Sequence, residues 1–126
     1  MAVEVQRPGD GFIETEKTRI DIYAPDKEET ITKIIQVASE SGAGEYEQYL
    51  HVAFIQRVEG NWFSKPTAHP NQGKAGEETR EKAVLISMTC PRNEELVKAV
   101  VAAILKVHPW EEPVIQVFPI TEFSKI

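Results

Sequence analysis

Three histidines and a pair of carboxylates are the residues of this chain best suited to chemistry: His51, His69 and His108, with Glu111 and Glu112 close behind the last of them. Imidazole and carboxylate together suit zinc or copper, so a divalent metal held by two or more of these groups is one chemistry on offer. Their wide separation along the chain has none of the tight spacing of a dedicated site. His108 has a simpler role open to it, because a histidine at a helix C-terminus favours the dipole and bonds free carbonyls. His51 falls on an expected strand, where it can bond a neighbouring backbone group. Glu111 and Glu112 are of the right type for an acid/base pair, yet adjacent residues at a strand start point in opposite directions. One is expected to accept backbone amides in the turn, the other to face solvent or an adjacent subunit. Cys90 precedes a helix, whose N-terminus can lower a thiol's pKa. No second cysteine is there to resolve it, and at the end of an apolar strand it reads as a small buried side chain. Residues 60–76 are rich in glycine and include Lys65 and Lys74, so their amides could cradle an anion. The run Gly73-Lys74-Ala75-Gly76 lacks the spacing of a P-loop and its following Ser/Thr. The stretch reads instead as a β-arm that packs on a neighbouring subunit through Trp62, Phe63, Pro66 and Pro70. The candidate ligand-binding set is therefore His51, His69, His108, Trp110, Glu111 and Glu112, and no residue is assigned to catalysis.

The elements that must position these groups follow from periodicity. The first seventeen residues read as a tail, disordered to about Gly11, with the turn cluster Arg7-Pro8-Gly9-Asp10-Gly11 inside it and some room for an edge strand. From Thr18, alternation puts Ile20, Ile22 and Ala24 on one face of a strand that Pro25 ends. Asp26 with Glu29 is a capping-box variant, and Ile31, Ile34, Ile35 and Ala38 make one buried helical stripe. Gly42 is placed to close that helix in the left-handed conformation. A second strand is expected over 49–57, with Leu50, Val52 and Phe54 on one face, then a turn at 58–61 into a short strand through Trp62 and Phe63. The third main strand, 79–90, is apolar at nearly every position and so is expected to be central. Pro91 suits a first helical position, and Glu94, Glu95 and Lys106 suit the helix ends they flank. Leu96, Val97, Val100, Ile104 and Val107 are that helix's buried stripe, Pro109 stops it, and 114–120 is the last strand. Two βαβ halves with antiparallel pairing and both helices on one face describe a ferredoxin-like α+β sandwich, with an arm between the second and third main strands.

Composition bounds the rest. The 126 residues are 41% hydrophobic and 27% charged, the balance of one ordinary globular domain, here 18–126 after the tail. A single cysteine excludes a disulfide framework and points to a reducing cytoplasm. No apolar run reaches the length of a membrane span, and MAVEVQRPGDG lacks the apolar core of a signal peptide. Fourteen Lys+Arg against 20 Asp+Glu give a net charge of −6, which argues against nucleic acid as a partner.

Three blocks carry a family resemblance. Gly42-Ala43-Gly44-x4-Tyr49-x-His51-x-x-Phe54 resembles the first block of the insertion domain in Nif-three-like proteins, also called GTP cyclohydrolase type 2-like. The run from Gly60 and Trp62 through Ala68-His69-Pro70 to Gly73 and Gly76 falls in register, without a gap, with that domain's glycine-rich loop G-x-F-x-P-x-x-G-A-N-P-x-x-G-x-x-G. His108-Pro109-Trp110-Glu111-Glu112-Pro113 resembles its HPYEEP block, which recurs as HPYEVP in CutA divalent-cation tolerance proteins. The chain departs from the pattern at Glu45, Glu47, Ser64, Thr67 and His69. The metal-binding shell of full-length Nif-three-like proteins belongs to a larger domain with motifs that this sequence lacks, so its hydrolase activity is not carried over. The resemblance implies a CutA-like fold with PII relatives and a homo-oligomer, a trimer first and a dimer second. Function is then expected to be regulatory, sensing a small molecule, a divalent metal or a protein partner without catalysis. A metal-assisted hydrolase of a nucleotide or cyclic substrate is one alternative, and a pure protein-interaction module is another.

Overall fold

A computed structural model describes residues 3–6 and 11–126. Five strands and two helices follow in the order β1 (Val3–Gln6), β2 (Phe12–Pro25), α1 (Glu28–Glu40), β3 (Phe54–Phe63), β4 (Glu78–Pro91), α2 (Glu94–Val107) and β5 (Val114–Lys125). The main sheet is antiparallel in the order β5–β2–β4–β3, which is the ferredoxin-like α+β sandwich. No helix among the described residues is long and apolar enough to cross a membrane.

Alternation in the two central strands sends Ile20, Ile22 and Ala24 of β2 and Val84, Ile86, Met88 and Cys90 of β4 to one face. There they meet Ile31, Ile34 and Ala38 of α1 and Val100 and Ile104 of α2, and these residues form one core. The other side chains of β2 and β4, among them Lys17, Arg19, Asp21, Leu85, Ser87 and Thr89, lie on the face that neither helix covers. The central position of β4 accounts for its dense apolar run.

Several local expectations are corrected. Strand β2 begins at Phe12, well before Thr18, because β5 pairs with it from Tyr23↔Val114 to Phe12↔Lys125. Val3–Gln6 forms a short strand against Glu16–Ile13, on the side β4 leaves once its pairing ends at Lys17↔Pro91. The turn cluster 7–11 lies, apart from Gly11, outside the described residues. The N-cap of α1 is Lys27 and makes no side-chain cap; Asp26 instead faces Arg57 at 3.6 Å. Pro91 ends β4, and Asn93 caps α2 by accepting from the Leu96 amide at 3.0 Å. The expected strand at 49–57 starts only at Phe54, because 44–53 is a loop that turns through positive φ at Glu47 and His51. Beyond it, β3 runs without interruption through Gly60 to Phe63, and its hairpin with β4 projects past the core sheet as the expected arm.

Gly42 closes α1 as read from the sequence. Its φ of +115° follows the Ser41 C-cap, and the Gly42 and Ala43 amides return to the Ser39 and Ala38 carbonyls at 3.1 and 3.0 Å.

Candidate functional site

The turn at 108–113 and the long β3–β4 loop come together at the arm's base. His108 is buried where α2 ends. Its Nε2 lies 2.6 Å from the Tyr23 carbonyl, and its Nδ1 accepts the Trp110 amide at 3.2 Å. An amide can only donate, so Nδ1 carries the lone pair and Nε2–H donates to Tyr23. Burial pushes His108 below its ordinary pKa, and the Tyr23 carbonyl acts in the opposite direction. The carbonyl that the His108 imidazole satisfies thus belongs to β2, while its own helix is closed by the His108 amide, which donates to the Ile104 carbonyl at 2.9 Å. Trp110 turns its indole N–H to Gln72 Oε1 at 2.9 Å and lies against Trp62, centroid to centroid 5.9 Å. Glu111 Oε1 accepts the His69 amide at 3.0 Å.

Of the candidate ligand set, His69, His108, Trp110 and Glu111 are brought to one place, but the two imidazoles do not meet there as ligands. His69 contributes its backbone, and both nitrogens of His108 are engaged. Glu112 is exposed at the turn. His51 is exposed at φ +60° in the 44–53 loop and belongs to no strand. Among the described residues no three His, Cys, Asp or Glu side chains gather to hold a metal. Glu111 does what was expected of one carboxylate in the turn, although the amide it accepts comes from the loop. Cys90 is 2% exposed in the core, and burial raises its pKa, the reverse of an activated thiolate.

The glycine-rich loop uses several of its amides internally. Ala68 bonds the Lys65 carbonyl at 2.9 Å, Gly76 that of Ser64 at 2.6 Å, and Glu77 that of Lys74 at 3.3 Å. With the His69 amide on Glu111, these are withdrawn from any anion. Trp62 serves its own chain, while Phe63 and Pro66 stay exposed and Pro70 is half-buried.

A second cluster, on the uncovered sheet face, was missed in the sequence. Tyr46 in the 44–53 loop places its hydroxyl 2.6 Å from Thr89 Oγ1 and 2.5 Å from Glu122 Oε2. Lys17 sits over the Tyr46 ring at 3.9 Å and pairs with Glu122 at 3.1 Å. Alongside, Asp21 accepts from Ser87 at 2.7 Å and from Arg19 at 3.1 Å. The two groups flank a shallow cavity of about 190 Å³ lined by Arg19, Tyr46, Phe54, Ser87, Thr89 and Glu122. The alternation that buries Ile20 and Ile22 also puts Lys17, Arg19 and Asp21 opposite them, a signal for part of this cluster; nothing local ties Tyr46 or Glu122 to it.

No family model matches the chain. It is 28% identical over 104 residues to the GTP cyclohydrolase 1 type 2 homolog of Bacillus subtilis, an alignment covering 82% of this chain and 27% of that protein. A Bacillus cereus protein related to NIF3 superposes with a TM-score of 0.65 at 22% identity, over 83% of this chain and 26% of that one. CutA from Synechococcus elongatus gives a TM-score of 0.60 at 19% identity, over 90% of this chain and 86% of that one. The Bacillus subtilis GlnK–ATP complex gives 0.55 at 14%, over 83% and 82%. The chain spans about a quarter of the length of the Nif-three-like relatives it matches and most of the length of CutA and GlnK. By sequence it is a homologue of the GTP cyclohydrolase 1 type 2 (NIF3) proteins over that quarter, and by fold it is a neighbour of CutA and PII-like proteins.

Proposed function

We propose that this chain is a non-catalytic regulatory module that works as a homo-oligomer, a trimer first and a dimer second, and senses a small ligand, a divalent cation or a protein partner. The observation that carries the reading is the surface left open by the two-layer fold. Neither helix covers the Arg19–Asp21–Ser87 and Tyr46–Glu122 face of the sheet, and Phe54 stands on it 70% exposed. The outer edges of β3 and β5 are unpaired among the described residues, and exposed Ile55, Val114, Val117 and Phe123 lie on those strands. Open edges with apolar side chains invite pairing with another chain. The resemblance to CutA implies a trimer, since those proteins pair edge strands around a threefold axis. A sensing role draws support from fold neighbours named for divalent cation tolerance and from one solved with ATP.

Native mass spectrometry on untagged protein, without added metal or chelator, tests the reading. A threefold mass without adduct is expected, and a twofold mass replaces the trimer with the dimer. A plain monomer overturns the assembly. Turnover of a nucleotide or cyclic phosphate by the purified protein overturns the non-catalytic assignment.

A further inference from the structure

We propose that His108 is a proton-operated latch that holds the long β3–β4 loop on the body of its own chain. The latch lies within one chain and does not depend on the oligomeric reading above. Its geometry needs a neutral imidazole in one tautomer: Nε2–H faces the Tyr23 carbonyl at 2.6 Å, while bare Nδ1 takes the Trp110 amide at 3.2 Å. Protonation places a hydrogen on Nδ1, so two donors face each other across that 3.2 Å and the bond inverts to repulsion. The Tyr23 bond survives, because Nε2 donates in both states. The strain therefore falls on the Trp110 amide, which must turn away.

Trp110 and its neighbour are what fasten the loop. The Trp110 indole holds Gln72 at 2.9 Å and packs on Trp62, and the Glu111 carboxylate holds the His69 amide at 3.0 Å. The remaining hydrogen bonds of 64–77 close within the hairpin, and most of its residues are exposed. Moving the Trp110 amide thus loosens the loop and uncovers Trp62 and Trp110 beside Phe63, which is already 55% exposed.

The charged groups on the surrounding elements are already committed or lie in water. Asp21 of β2 bonds Ser87 and Arg19, and Asp26 faces Arg57. Glu111 takes the His69 amide. Lys106 of α2, Glu112 of the turn, Lys27 and Glu28 at the start of α1, and the His69 side chain are exposed. Burial lowers His108 from its ordinary value, so the latch opens on the acid side.

Both tryptophans of the protein sit at the latch, so intrinsic fluorescence reads it directly. The wild-type protein is titrated from about pH 8 to about pH 4, with far-UV circular dichroism and brief trypsin treatment in parallel, across the usual histidine value of roughly 6.5. The expected result is a red shift of emission with a midpoint below that value and, relative to an unstructured lysyl peptide cut at the same pH, several-fold faster cleavage after Lys74, with the dichroism unchanged. His108→Gln keeps one donor and one acceptor without titrating, and its emission and cleavage should not respond to pH. Wild-type emission and cleavage that stay constant overturn the proposal, as does a His108→Gln protein that titrates like the wild type. Gln72→Ala, an exposed-loop change that spares the core, keeps the test decisive if His108→Gln does not fold. At about pH 8 its loop should be cleaved several-fold faster than that of the wild type, because one of the contacts from Trp110 is gone, and cleavage at the wild-type rate overturns the latch.

Discussion

Tyr46 spends its hydroxyl on two partners, Thr89 and Glu122, under the ammonium of Lys17. Burial first, and then the carboxylate beside it, push the phenol up to about 12. The neutral form is therefore the one the fold prefers. Its contribution is complete below the ordinary tyrosine value of roughly 10 and is lost as pH rises toward about 12. In an alkaline absorbance titration one of the three tyrosines should ionise last, and Tyr46→Phe should remove that late step. The same variant leaves Thr89 and Glu122 short of a partner. It should lower stability by about 1–2 kcal/mol in urea unfolding at neutral pH, and an unchanged midpoint would show that the network contributes nothing. His108 has the opposite sign. Its depressed pKa makes stability complete above the ordinary histidine value and lost as pH falls through the folded one.

Among the elements, the path from α1 to β3 is the least forgiving. Gly44 bonds the Thr89 carbonyl through its amide at 2.8 Å and accepts from Val52 at 2.9 Å, at φ +75°. A Cβ there would lie 2.8 Å from Met88 Cε and 2.9 Å from the Val52 carbonyl. Gly44→Ala therefore meets left-handed strain of roughly 1–2 kcal/mol and must also displace the backbone that carries Tyr46. A drop in thermal midpoint together with loss of the late tyrosine ionisation is expected, and a neutral substitution would refute this account of the loop. Asn93→Ala at the start of α2 is a milder, separable change. Loss of its bond to the Leu96 amide should cost about 1 kcal/mol, read by denaturant unfolding, and leave the tyrosine titration untouched.

For the whole molecule, the uncovered sheet face and the arm make different predictions about assembly. Trp62 is engaged with Trp110 of its own chain, whereas Phe54 and Phe63 point to water at 70% and 55% exposure. If a second copy covers the face and the arm reaches a neighbour, Phe54→Asp and Phe63→Ala should each shift mass toward monomer in native mass spectrometry, Phe54→Asp more strongly because it places a charge in the contact. Mass distributions unchanged in both variants would sink the assembly surface while leaving the fold intact.

Periodicity in the sequence was enough for the layers of this domain. The alternation at Ile20, Ile22 and Ala24, the stripes Ile31–Ile34–Ala38 and Val100–Ile104, the central place of the 79–90 run and the left-handed Gly42 all follow from side-chain spacing and local sterics, and all are in the structure. Three short blocks were enough to mark the Nif-three-like and CutA relatives. Only the tertiary structure decided what those blocks do. His51 looked like a strand residue because its neighbours alternate, yet the Val52–Gly44 bond and the paired Tyr46–Tyr49 bonds bend 44–53 into a loop. His69 and Glu111, and Gln72 and Trp110, are distant in sequence and meet because the β3–β4 hairpin overhangs the end of α2. Tyr46 and Glu122 meet because β5 runs beside β2 for its whole length, beyond where its apolar alternation signals an end. Local spacing constrains which face a residue takes, whereas the partner across that face is fixed by strand order and register, which are properties of the folded chain as a whole.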